Sequence, residues 1–104
     1  MDFNLTSEQM MIRDMVREFA AKEVAPIAAE IDRDQRFPTE TIEKMKALGL
    51  MGISIPEEYG GAGGDTVSYA LACEELARVC ASTSAILSVH ITGIKPILLF
   101  GTEE

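Results

Sequence analysis

A chain of 104 residues with 17 acidic and nine basic side chains, formal charge −8, is sized for one hydrophobic core and repels polyanions. Its 47% hydrophobic and 25% charged composition excludes a disordered chain, and its field disfavours nucleic acid as a partner. No basic, apolar leader opens the sequence and no uninterrupted apolar run reaches the roughly 18 to 20 residues of a bilayer span, which points to a cytoplasmic protein without a membrane segment.

Thr6-Ser7-Glu8-Gln9 has the form of a capping box, and behind it Ile12, Val16, Phe19 and Ala20 recur at i, i+4, i+7 and i+8. This spacing predicts an amphipathic helix that Pro26 ends or kinks near Val24. A short second helix is expected over Ile27 to Ile31, then a polar bend from Asp32 to Arg36. Thr39 is placed to cap a third helix with Ile42, Met45 and Leu48 inward, and Gly49 to end it. Met51 to Ile55, bounded by Gly52 and Pro56, reads as extended or irregular.

Asp65 is a good N-cap for a fourth helix, with Tyr69, Ala72, Cys73, Leu76 and Cys80 inward and Glu74, Glu75 and Arg78 outward. Ala81-Ser82-Thr83 is the expected break. Ser84 to Phe100 then forms a fifth helix whose apolar residues fall on every side, with Lys95 its only charge. A helix apolar all round needs cover all round, so leftover apolar surface and self-association through it are expected. Gly101-Thr102-Glu103-Glu104 resembles a helix stop followed by a new N-cap, which suggests a chain cut from something longer. The fold class is all-α: an up-and-down bundle of about five helices in one domain over 1–104.

Candidate chemistry is sparse. A phosphate-binding loop needs glycines, a helix N-terminus and usually a Lys with a Ser or Thr. Gly60-Gly61-Ala62-Gly63-Gly64 supplies glycines but is flanked by Glu57, Glu58 and Asp65, so it reads as a tight turn. Cys73 and Cys80, seven apart, are too distant within one helix for a disulfide and lack zinc-spaced partners; they read as buried structural thiols. His90 reads as a packed imidazole without a ligand or acid-base role. With aromatics scarce, aliphatics and the six methionines are expected to fill the core, among them the cluster Met10, Met11 and Met15.

Taken in order, "LTSEQ" at Leu5 to Gln9, "VREFAAKEVAPIAAEIDRDQRFP" at Val16 to Pro38, "LGLMGISIPEEYGGAGGD" at Leu48 to Asp65, "EELARVC" at Glu74 to Cys80, "SVH" at Ser88 to His90 and "FGTEE" at Phe100 to Glu104 cover almost the whole chain. The series resembles the amino-terminal helical domain of acyl-CoA dehydrogenases, in flavour the bacterial short-chain, butyryl-CoA type. The resemblance implies a flavoprotein several times longer, with a β-rich middle domain and a second helical domain. In that family a glutamate removes the α-proton of an acyl-CoA, the β-hydride passes to FAD, and electrons leave to an electron-transfer flavoprotein. The base lies in the later helical domain and the flavin is held mainly by the middle domain and a neighbouring subunit. No catalytic or cofactor-binding residue is therefore expected in 1–104, and Glu74 and Glu75 are not substitutes.

The resemblance carries over one feature: the helix after "EELARVC" lines the far end of the acyl pocket, at positions matching Ser84 and Ser88. Independently, Ser84, Ser88 and Ile91 lie at i, i+4 and i+7 and share one helical face. Two roles are open for the serines, close helix packing and a pocket wall. The competing function is a free-standing helical interaction module working through the fifth helix; an engineered, excised domain without activity is a third. Flavin retention separates the first reading from the other two.

Overall fold

A computed structural model describes residues 2–104; Met1 lies outside them. The capping box closes as expected: Thr6 Oγ1 accepts from Gln9 N at 3.2 Å and Gln9 Oε1 accepts from Thr6 N at 2.9 Å. It starts α1, Ser7–Phe19, which buries Val16 and Phe19. Pro26 neither stops the helix nor passes without effect. Having no amide hydrogen, it disturbs the i to i−4 ladder, and the chain widens into one π-helical turn, Ala20–Val24, in which Ala25 N donates to Ala20 O. The second helix, α2, is therefore longer than expected, Ala25–Asp34; Asp32 to Asp34 belong to it, and Gln35 at φ 50° ends it.

The third helix, α3, spans Thr39–Ala47. Thr39 does not cap it: Pro38 holds the N-cap position, no side chain caps the helix, and Thr39 is already helical. Gly49 ends the helix region at φ 80°, in the left-handed conformation that glycine adopts without a Cβ penalty. The next segment is irregular, with short 3₁₀ turns at Leu50–Gly52 and Glu57–Tyr59. The fourth helix, α4, Thr66–Val79, starts where Asp65 Oδ1 accepts from Ser68 N at 2.7 Å. Cys80 alone, at φ −152°, breaks the chain before α5, Ala81–Phe100. The expected break at Ala81 to Thr83 is instead the first turn of α5.

Helix α4 packs against both α1 and α5, and the core is built where they meet, from Val16, Phe19, Ala72, Leu76, Leu87 and Ile91. This is the expected all-α, up-and-down bundle. Three expectations about its filling fail, the first being that Leu48 points inward, since at the C-cap of α3 it is 44% exposed. Met45 is fully buried and Met15 and Met51 pack against the core, but Met10 is 40% and Met11 70% exposed, because both fall on the solvent arc of α1. His90 also faces solvent, since Leu87 and Ile91 take the buried arc of α5.

Helix α5 keeps a large apolar surface outside the core, with Val89, Ile97, Leu99 and Phe100 all at least 69% exposed. Among the described residues it is the one helix long and apolar enough to cross a membrane, by length and composition alone. The count of uninterrupted apolar residues missed this because Ser, Thr and His dilute the run. In the structure its Thr83, Ser84, Leu87 and Ile91 are buried, and α4 is the helix packed against it.

Candidate functional site

The shared face of Ser84, Ser88 and Ile91 begins at the α4–α5 corner. Ser84 is buried and its Oγ donates to Cys73 O of α4 at 2.8 Å, so this hydroxyl sets how closely the two helices approach. Ser88 is half-buried, and Ile91, 3% exposed, ends the face in the core. Ile91 also lines a groove of about 400 Å³ between α5, the start of α4 and Ser54, together with Tyr69, Lys95, Leu99 and Phe100. Ser84 and Ser88 do not line that groove. The structure thus aligns the three residues along one helix and brings only Ile91 to an open cavity.

Glu75 is the main departure from the expected pattern. It is 4% exposed and accepts from Arg17 Nε at 3.1 Å and from Arg17 Nη2 at 2.9 Å, a fork that ties α1 to α4. The Arg17 hydrogen bonds hold the Glu75 carboxyl below the usual carboxylate range, against the opposing effect of burial. A carboxylate engaged in this way is a structural anion and no proton acceptor at neutral pH. Glu74, by contrast, faces outward as expected and pairs with Arg78 at 2.9 Å.

The glycine loop uses its own amides. Gly61 N donates to Pro56 O, Ala62 N to Gly52 O, Gly63 N to Ile55 O and Gly64 N to Ile53 O, at 2.7 to 3.1 Å. None of these four amides points at a ligand; the loop folds back on residues 52–56 as a corner. The larger hollow beside it, about 540 Å³, has a floor of Met51, Ile55, Ile94, Ile97 and Leu98 and an edge that includes Glu103 and Glu104. Both thiols are free, Cys80 buried and Cys73 half-buried; Cys80 sits in the link between helices rather than within α4. No group of three His, Cys, Asp or Glu among the described residues is arranged to hold a metal.

Residues 6–104 match the family model described as acyl-CoA dehydrogenase, N-terminal domain. The chain belongs to the acyl-CoA dehydrogenase family. It is 56% identical to the short-chain specific acyl-CoA dehydrogenase of Clostridium acetobutylicum, over 100% of this chain and 28% of that protein. Among solved structures, it resembles butyryl-CoA dehydrogenase from Megasphaera elsdenii with a TM-score of 0.91 and 39% identity, over 99% of this chain and 28% of that one. A chain from work on the electron transferring flavoprotein of Acidaminococcus fermentans matches with a TM-score of 0.94 and 48% identity, over 99% and 27% respectively. The chain therefore spans little more than a quarter of the length of these relatives.

In this acyl-CoA dehydrogenase N-terminal domain, the donor set of the glycine loop does not fit the diphosphate of a flavin dinucleotide. The diphosphate would need cations or open amides, and the glycine loop offers engaged amides beside Glu57, Glu58 and Asp65. Sequence reasoning missed three residues that shape the domain. Glu75 was misplaced because Ser68, Ala72, Glu75 and Leu76, at i, i+4, i+7 and i+8, define the buried arc of α4, rotated from the arc through Tyr69 and Cys73. Gln9 does more than cap: its Nε2 donates to Asp65 Oδ2 at 2.9 Å and fastens the start of α1 to the start of α4. Lys95 reaches across to donate to Ser54 O at 3.2 Å.

Proposed function

We propose that residues 1–104 form one domain of an FAD-dependent acyl-CoA dehydrogenase acting on short-chain acyl-CoA thioesters, and that the domain walls the acyl pocket without being catalytic alone. The observation that carries this reading is the α5 face, on which Ser84, Ser88 and Ile91 follow one another while the other sides of the helix leave Val89, Ile97, Leu99 and Phe100 open. On this reading Ser84 fixes the α4–α5 spacing, Ser88 leaves room for the end of an acyl chain, and Ile91 supplies apolar surface. The exposed apolar residues meet the remainder of a longer protein and exclude water from the reacting carbons. FAD and the base that removes the α-proton belong to residues outside this segment. An electron-transfer flavoprotein is the electron acceptor, a reading supported by the Acidaminococcus comparison, and the cytoplasm is the setting.

The test is a chimera in which residues 6–104 replace the matching part of the Clostridium short-chain enzyme. It should retain flavin and oxidise butyryl-CoA, and Ser88→Leu within it should depress kcat/KM more for longer acyl-CoA substrates than for shorter ones. A flavin-loaded but inactive chimera, or an unchanged chain-length profile in the variant, removes the wall reading.

The exposed α5 surface favours one further reading for the segment by itself, self-association through that helix. Light scattering should give a mass that rises with concentration, and Leu99→Glu with Phe100→Glu should return a monomer; a strict monomer at all concentrations rejects it.

A further inference from the structure

Eight of the nine Lys and Arg side chains pair with a carboxylate of this chain. Lys95 is the exception among the described residues, although Asp and Glu outnumber the cations 17 to nine. It is half-buried, the one charged residue of α5, and its ammonium donates to a single backbone carbonyl, Ser54 O, at 3.2 Å. An ammonium has three protons to donate, so two are left. No Asp or Glu lines the groove in which Lys95 sits, and two of the residues that do, Leu99 and Phe100, are 69% and 85% exposed. This side of α5 therefore sets one incompletely bonded cation beside open apolar side chains.

We infer that Lys95 is the charged anchor of the surface through which α5 meets the remainder of the enzyme, and that the covering part brings an aspartate or glutamate to Lys95 Nζ. This rests on the reading above that the remainder covers the open side of α5. Covering Leu99 and Phe100 closes the groove over Lys95 and takes water from its two free protons. An ammonium left there with one carbonyl is strongly unfavourable, whereas a carboxylate in contact offsets most of that cost and completes its hydrogen bonds. One monovalent cation calls for one monoanion, which among side chains is Asp or Glu, and the groove itself offers neither. Such a pair adds little net affinity over an apolar contact but fixes register, since a lone charge on an apolar face is matched only where its partner stands opposite.

The experiment uses the full-length flavoprotein that carries this domain. Its crystal structure should show a carboxylate oxygen from outside residues 1–104 within about 4 Å of Lys95 Nζ, the reach of an ion pair. Lys95→Met leaves that carboxylate covered and unpaired and should lower the unfolding temperature by about 5 °C or more. Lys95→Glu sets two like charges against each other and should lower it further, while Lys95→Arg keeps the charge and should stay close to the unaltered enzyme. Under a covered α5, a Lys95 that meets only water or backbone carbonyls, or a Lys95→Met enzyme as stable as the unaltered one, overturns the inference and leaves the domain reading in place. Leu99 and Phe100 open to solvent in the flavin-loaded enzyme would overturn that reading, and the inference with it. The crystal structure is of the unaltered enzyme, so it decides even where a variant folds poorly.

Discussion

A methyl group on Gly61 would stand 2.1 Å from the carbonyl oxygen of Ile55 and 2.5 Å from its Cβ. The glycine-rich loop is therefore a backbone-to-backbone contact, in which the absence of a side chain lets residues 60–64 lie on residues 52–56. Gly61→Ala must push that layer apart and break the neighbouring Gly63 N to Ile55 O bond of 2.9 Å. Urea unfolding of the variant should show a loss of about 3 kcal/mol or more, at the upper end of single-substitution effects.

Gly93 gives the opposite expectation. It lies inside α5, and a methyl group there meets nothing within 4 Å. Gly93→Ala should stabilise by about 0.5 to 1 kcal/mol through the reduced entropy of the unfolded chain. A destabilised variant would show that this stretch of α5 is closer packed in solution than in the structure.

The Arg17–Glu75 fork makes stability depend on pH with a definite sign. Because the folded carboxyl titrates below its ordinary value of about 4.3, the contribution is fully present above that pH and is lost as pH falls through the depressed folded value. Glu40, held down to about 2 by Arg36 and by its own backbone amide, acts in the same direction at the surface. Glu75→Ala should cost about 2 kcal/mol at pH 7, the worth of hydrogen bonds to a charged group, and should flatten the fall in stability as pH drops below the ordinary carboxylate value of about 4.3. Combined with Arg17→Ala it should cost less than the sum of the two single changes, since both remove one interaction.

Much of the fold was legible where a local rule decides the outcome. Thr6 with Gln9, Gly49 and Asp65 set helix ends through interactions within four residues, and each holds. The misses share a different physics. Glu75 is buried by an arginine 58 residues away, and no local propensity encodes that partner. Met10, Met11 and His90 were assigned to the core by type, but the helical arc and not apolarity chooses which residues are covered. The site was less legible than the fold: periodicity placed Ser84, Ser88 and Ile91 on one face, but the Ser84 hydroxyl bond to Cys73 O is a contact between helices and has no signature within α5.

Thr41 tests the cost of an orphaned polar atom. It is 1% exposed on α3 and its Oγ1 has no hydrogen-bond partner, so folding strips water from the hydroxyl without replacing the bond. Thr41→Val keeps the shape and removes the desolvated group. Urea unfolding should give an unchanged or higher stability, by up to about 1 kcal/mol, whereas the same isostere normally weakens a core threonine that is bonded. A loss of 1 kcal/mol or more would mean that a buried water satisfies Oγ1, and a high-resolution crystal structure should then show it.

The Ser84 bond separates packing from pocket. Its Oγ meets Cys73 O at 2.8 Å, an acceptor whose acceptance of a second proton beyond the helix ladder fixes the distance between α4 and α5. Ser84→Ala should cost about 1 kcal/mol in the isolated chain, the usual net worth of one hydrogen bond, with the fold retained. Ser84→Leu should cost more, because the added volume enters a buried contact and forces the helices apart. Ser88→Leu, at a half-buried position on the same face, should be tolerated far better in the isolated chain. Equal losses for the two leucine variants would mean that Ser88 is as tightly packed as Ser84, leaving no room on this face for an acyl chain.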